Sequence, residues 1–131
     1  MTKLIHSMVR VHDLSASIKF YRDALELDIV NQYHFDDFSL TYLANSETGF
    51  ELELTHNHNQ DEPYVHGNGY GHIAVSVDCI HTAHKRLNTY GINTSDIKSF
   101  DHEGVLLATF FFVTDPDGYK IEFIQRAGRY L

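Results

Sequence analysis

The sequence predicts an α+β fold in which one βαβββ module occurs twice. Three observations carry this expectation. A strand, helix-cap and helix pattern that begins at His6 (HSMVRVHDLSASIKF) restarts at His72 (HIAVSVDCIHTAHKR). The hexapeptide GFELEL at Gly49–Leu54 returns as GYKIEF at Gly118–Phe123. Between the halves, from His56 to Asn68, runs a polar stretch containing Pro63, which reads as a linker.

The elements follow from local pattern. LIHSMVRV, from Leu4 to Val11, suits a half-buried strand. From Asp13 to Leu27 the apolar residues Leu14, Ile18, Tyr21 and Leu25 form the stripe of an amphipathic helix, with Asp13 or Ser15 as its cap. Strands are predicted over 28–33, 38–43 and 49–55. After the linker, 71–77 reads as a strand. Ile80, Ala83, Leu87 and Tyr90 form a second helical stripe, with Asp78 as cap and Gly91 as stop. Short strands are predicted near 92–97 and over 105–113. Asp115-Pro116-Asp117-Gly118 signals a turn, and 119–125 is the last strand.

Composition narrows the functional classes. A chain of 131 residues with 43% hydrophobic and 21% charged content can bury a core and is not a disordered chain. Its net charge of −8 disfavours nucleic-acid and anionic-membrane partners. Cys79 is the only cysteine, so no internal disulfide forms, and the expectation is a reduced, cytoplasmic protein. No stretch reads as a signal peptide or a membrane span. Cys79 falls at a predicted helix start and is expected to be a buried, inert thiol.

The repeat also places chemistry. Each half opens its first strand with a histidine and carries a glutamate in its last strand. The separation is 47 residues from His6 to Glu53 and 50 from His72 to Glu122. Two imidazoles and two carboxylates are ordinary ligands for a first-row divalent ion, and their charge of minus two balances it. On a six-coordinate ion they leave two positions for water or substrate, an open and catalytic arrangement. Alternation along the strands puts Met8 and Arg10 on the His6 face, and Glu51, Thr55 and Asn57 on the Glu53 face. Arg10 and Asn57 are therefore candidates for binding a polar or anionic substrate. Glu51 competes with Glu53, but only Glu53 aligns with Glu122. His56, His58 and His66 read as part of a solvated linker rather than a second metal site. Gly67-Asn68-Gly69-Tyr70-Gly71 leads into a strand, so no dinucleotide site is indicated.

These residues resemble the vicinal oxygen chelate (VOC) superfamily and, within it, the glyoxalase I (lactoylglutathione lyase) family. The likeness is carried by IHSMVRVHDLSASIKFYRDAL at Ile5–Leu25, ELTHN at Glu53–Asn57, GYGHIAVSVD at Gly69–Asp78 and DPDGYKIEFI at Asp115–Ile124. The resemblance implies a single VOC domain over 1–131, with module one at about 1–60 and module two at about 69–131, and a curved sheet around the site. It implies a homodimer in which His6 and Glu53 of one chain meet His72 and Glu122 of the other. It implies a small-molecule substrate, the hemithioacetal of methylglyoxal and a thiol, isomerised to an S-lactoyl thioester. It implies Ni²⁺ or Co²⁺ in preference to Zn²⁺, Glu122 as the base with Glu53 assisting, and Arg10 and Asn57 as the holders of thiol carboxylates. Within the same superfamily, an epimerase or dioxygenase type, or a non-catalytic binding member, is the alternative. Two departures bear on the thiol. His58 stands where the family has an aromatic residue. The loop that often supplies a lysine reads Asp101-His102-Glu103-Gly104, whose acids would repel the glycyl carboxylate of glutathione.

Overall fold

The computed structural model describes residues 1–131. The chain forms two compact units, Met1–Gly67 and Asn68–Leu131. Each is a four-stranded mixed sheet with one helix.

The first unit comprises β1 (His6–Arg10), α1 (Leu14–Leu25), β2 (Asp28–His34), β3 (Phe38–Ala44) and β4 (Glu51–Asn57). Its sheet order is β1-β4-β3-β2, with β1 parallel to β4 and the other pairs antiparallel. Helix α1 begins where the Asp13 carboxylate accepts the Ala16 N–H at 3.1 Å. It ends at Glu26, which takes a left-handed conformation (φ 56°) and returns its N–H to Arg22 and Tyr21 carbonyls. The buried face is Ser17, Tyr21 and Ala24 rather than the expected Leu14, Ile18, Tyr21 and Leu25. Small residues on either side of Tyr21 let the helix backbone approach the sheet, and Leu14, Ile18 and Leu25 become half-buried flanks. Below lie Val9, Leu43, Leu52 and Leu54, none more than 7% exposed. Burying each such side chain contributes about 1.5–3 kcal/mol.

The second unit comprises β5 (Ile73–Val77), α2 (Ile80–Thr89), β6 (Lys98–His102), β7 (Val105–Thr114) and β8 (Lys120–Gln125), followed by a 3₁₀ turn at Gly128–Tyr130. Its order, β5-β8-β7-β6, repeats the first, with β5 parallel to β8. Two expectations need correction here. Asp78 does not cap α2; its carboxylate accepts from Arg126 Nη1 at 2.8 Å. The cap comes from β8, where Gln125 Oε1 accepts the Ile80 N–H at 2.9 Å while its Nε2 donates to the Asp78 carbonyl at 2.6 Å. The segment 92–97 is not a strand. It meets the sheet at the Thr94–Val113 bridge and at Ser95, whose N–H donates to the Phe112 carbonyl at 2.9 Å and whose Oγ accepts the Phe112 N–H at 2.8 Å, while Asn88 Nδ2 donates to Thr94 Oγ1 at 3.0 Å and ties it to α2. Pairing resumes at Lys98. The Asp115 turn forms as expected: its buried carboxylate accepts the N–H groups of Asp117 and Tyr119 at 2.9 and 2.8 Å, and Gly118 supplies φ 90°.

Candidate metal centre and active site

The register of the first sheet builds one half of the candidate site. Met8 lies opposite Glu53, His6 opposite Glu51 and Arg10 opposite Thr55. Alternation puts all of these on one sheet face, with Leu52 and Leu54 on the other. His6 leans along its strand, and its Nε2 stands 2.8 Å from Glu53 Oε2. On the next strand Tyr42 lies directly opposite Glu53. Its ring meets the His6 ring edge-on at 5.9 Å. Burial first, and then the Glu53 charge, raise the Tyr42 pKa above that of an ordinary phenol, so the hydroxyl stays a donor.

The second sheet builds the other half in the same way. Glu122 on β8 lies between Ala74 of β5 and Phe112 of β7. His72, just ahead of β5, places its Nε2 2.8 Å from Glu122 Oε2, with its ring edge-on to Phe112 at 5.4 Å. In both pairs the carboxylate is nearly buried and the imidazole open. Side-chain exposure is 10% for Glu53 against 37% for His6, and 12% for Glu122 against 44% for His72.

These pairs suit a divalent ion. An ion with ligand bonds of about 2.1 Å sets neighbouring donors about 3 Å apart, close to the spacing within each pair. Neither unit gathers three or more His, Cys, Asp or Glu side chains around one point. Each therefore offers two donors, one imidazole and one carboxylate.

Arg10 and Asn57 share the sheet face of His6 and Glu53, near the far ends of β1 and β4. Asn57 Nδ2 donates to Tyr64 Oη at 2.9 Å, which holds its side chain. Glu51 is half-buried on the same face, yet the His6 nitrogen reaches Glu53 instead. Tyr42, Phe112 and Tyr64 escape a reading of the sequence by motif; the cross-strand register is the signal that finds the first two.

The histidines of the supposed linker differ from expectation. His56 and Asn57 belong to β4. The Asp36 carbonyl accepts from His58 Nδ1 at 2.9 Å, so His58 Nε2 accepts from Ser39 Oγ at 2.8 Å, and Ser39 Oγ accepts from His34 Nδ1 at 3.0 Å. A cavity of about 540 Å³, lined by His12, Ser15, His34, Ser39 and His56, lies on the α1 side of this sheet, away from the His6–Glu53 pair. Cys79 is exposed, contrary to expectation, because it precedes the first turn of α2; its hydrogen bond with Thr82 lowers the thiol pKa. The acidic hairpin closes in two residues, Glu103 (φ 52°) and Gly104 (φ 80°), and both Asp101 and Glu103 are exposed. No helix is long and apolar enough to cross a membrane.

Comparison with known proteins agrees with this architecture. The profile of the Glyoxalase/Bleomycin resistance protein/Dioxygenase superfamily matches residues 3–123, and the chain belongs to that superfamily. The chain is 40% identical over 129 residues to a lactoylglutathione lyase of Neisseria meningitidis, covering 95% of this chain and 91% of the relative. It is 38% identical over 128 residues to that of Haemophilus influenzae, covering 94% and 92%. Its fold matches the trypanothione-dependent glyoxalase I of Leishmania major with a TM-score of 0.75 and 31% identity, covering 95% of this chain and 87% of that one.

Proposed function

We propose that the chain is a metal-dependent glyoxalase I-type lyase of the carbon–sulfur class, which isomerises the hemithioacetal of methylglyoxal and a thiol to an S-lactoyl thioester. The observation that carries this reading is the imidazole–carboxylate pair present once in each unit, His6–Glu53 and His72–Glu122, each with donors 2.8 Å apart. Relatives at 38 and 40% identity over nearly the whole chain bear the name of this activity.

The two units serve as the modules of a single VOC domain over 1–131, and the protein works as a homodimer in the cytoplasm. The compartment reading rests on the single cysteine. Apolar side chains exposed on β7, Val105 and Leu106, support self-association. One chain supplies His6 and Glu53 and the other His72 and Glu122. When bound, a divalent ion supplies Lewis acidity beside the substrate oxygens and so acidifies the neighbouring C–H. Glu122 takes that proton and returns it to the adjacent carbon, with no net change in atoms. Glu53 assists from the opposite side. Arg10 and Asn57 hold a carboxylate or other polar end of the thiol, with Asn57 kept in place by Tyr64.

The test is turnover of methylglyoxal with a panel of thiols, using metal-free protein reloaded with single ions. Ni²⁺ or Co²⁺ is expected to support about tenfold more activity than Zn²⁺, because two nitrogens, two carboxylates and two open positions suit an octahedral ion. A Zn²⁺ form that is the most active contradicts the ion assignment. No thioester with any ion or thiol contradicts the function.

The thiol itself is open to a charge argument. The named relatives span glutathione and trypanothione. Here the chain carries a net charge of −8, and Asp101 and Glu103 stand exposed on one tight hairpin. Glutathione presents two carboxylates. A cosubstrate with a neutral or cationic end in place of one is favoured by both features. Asp101→Lys/Glu103→Lys is expected to raise kcat/KM for the glutathione hemithioacetal roughly tenfold at low salt and less at high salt. High wild-type efficiency with glutathione, unchanged in the double variant, shows that the hairpin never meets the substrate.

A further inference from the structure

A serine on the α1 side of the first sheet stands among imidazoles that the metal chemistry does not use. Ser39 lies directly opposite His34 of β2 and directly opposite His56 of β4, so the three form one row on one sheet face. His58, just past the end of β4, reaches the same hydroxyl. We propose that Ser39 is a nucleophile with His58 as its base, in a second catalytic site that hydrolyses short, uncharged carboxylic esters.

A serine hydroxyl attacks a carbonyl carbon well only when a neighbouring group takes its proton. Here the bonds around it fix where that proton goes. The Asp36 carbonyl accepts from His58 Nδ1 at 2.9 Å, so His58 Nε2 carries the lone pair, and it stands 2.8 Å from Ser39 Oγ. His34 Nδ1 donates to the same oxygen at 3.0 Å, which leaves the Ser39 hydrogen directed at His58. Nucleophile, base and a third group that orients the base thus follow one another in hydrogen-bond order, an arrangement that recurs on unrelated folds. A backbone carbonyl in place of a carboxylate holds the imidazole but stabilises its charged form less, so a slow hydrolase is expected. Ser39 is 2% exposed and forms part of the wall of the cavity of about 540 Å³. His56 lines the same space and offers a ring N–H to the carbonyl oxygen. Asp13 in that wall and the net charge of −8 disfavour an anionic substrate.

The steps balance without a further reagent than water. Ser39 Oγ bonds to the ester carbon while its proton passes to His58 Nε2. The carbon–oxygen bond to the alcohol breaks, and His58 returns the proton to the departing alcohol. Water then attacks the acyl group, His58 takes a proton from it, and Ser39 leaves with that proton. The sum is ester plus water giving acid plus alcohol.

The test uses the full chain and a fluorophosphonate probe, which loses fluoride as Ser39 Oγ bonds to phosphorus. Peptide mass spectrometry is expected to find the label on Ser39, and Ser39→Ala to take up none. His58→Ala, which removes an exposed ring, is expected to fold as wild type and to label about a hundredfold more slowly. Hydrolysis of p-nitrophenyl acetate is expected to show a burst of nitrophenol that both variants lose. Circular dichroism and melting control the fold; if Ser39→Ala does not fold, the labelled position in wild type and the rate in His58→Ala decide. A serine that served the fold alone would take no label. An unlabelled Ser39, a label on other residues only, or a labelling rate unchanged in His58→Ala overturns the proposal. Labelling of Ser39 with ester turnover no faster than in His58→Ala overturns the hydrolase assignment. Neither metal pair shares a residue with this site, so the metal-dependent reading can fail without touching it.

Discussion

Glu122→Gln is expected to cut turnover about a thousandfold, or about 4 kcal/mol of activation barrier, while metal affinity stays within about tenfold. The argument starts from what the substitution keeps. Glutamine has the same length, offers one oxygen, and can still accept from His72 at the position where Oε2 now stands 2.8 Å away. The strand is held from its other face by Ile121 and Phe123, both at most 1% exposed, so the fold has no reason to change. What is lost is the negative charge and the basic lone pair in a place that water hardly reaches, since Glu122 as a whole is 9% exposed. A general base contributes about 10²- to 10⁴-fold, which sets the size of the effect. Glu53→Gln serves as the internal control: with Glu122 as the base it should lose far less turnover than Glu122→Gln. Parallel measurement of kcat and of metal Kd decides the matter. Near-normal turnover in Glu122→Gln would move the proton to Glu53 or to a bound water.

What could be read from the sequence, and what could not, follows a physical line. Features set by neighbours in sequence were legible. Asp13 caps α1 through a bond three residues on, and Asp115 closes its turn through bonds two and four residues on. The repeat was legible because a strand, a helix and a last strand return in order, and the structure returns them in two sheets of the same strand order. The alternation in ELELTHN separated Glu53 from Leu52 and Leu54 correctly, because side-chain direction in a strand has a period of two. Features set by distant partners were hidden. The cap of α2 comes from Gln125, 45 residues after the amide it serves. The apolar stripe of α1 misnamed its buried face, since Ser17 and Ala24 are small rather than apolar and large. His58 looked like linker because its partners, Ser39 and the Asp36 carbonyl, lie on β3 and on the turn before it. Tyr42 was invisible for the same reason: no spacing rule relates it to Glu53, and only the pairing of β3 with β4 brings them face to face.

Mixing inactive His6→Ala and inactive His72→Ala chains is expected to restore about a quarter of wild-type activity after free subunit exchange. Each unit offers one imidazole and one carboxylate, and in neither does a third such donor come close. The proposed four-ligand site would therefore take one pair of each kind. In the proposed twofold dimer the two sites would be equivalent, each taking one pair from each chain. A homodimer of either variant has both sites short of one imidazole. In the heterodimer one site lacks both histidines, and the other has His6, Glu53, His72 and Glu122 all intact. Random exchange makes half of the dimers heterodimers, and half of the sites in those are whole, which gives the expected fraction. Neither substitution threatens the fold, because both imidazoles are among the more exposed side chains of the site, at 37% and 44%. Subunit exchange is verified independently, with two distinguishable tags and native mass spectrometry. Metal content of the isolated heterodimer provides a second readout, expected at about one tightly held ion per dimer. Exchange with no recovery of activity and no tight ion would place all four ligands within one chain, and the dimer would then have no part in building the site.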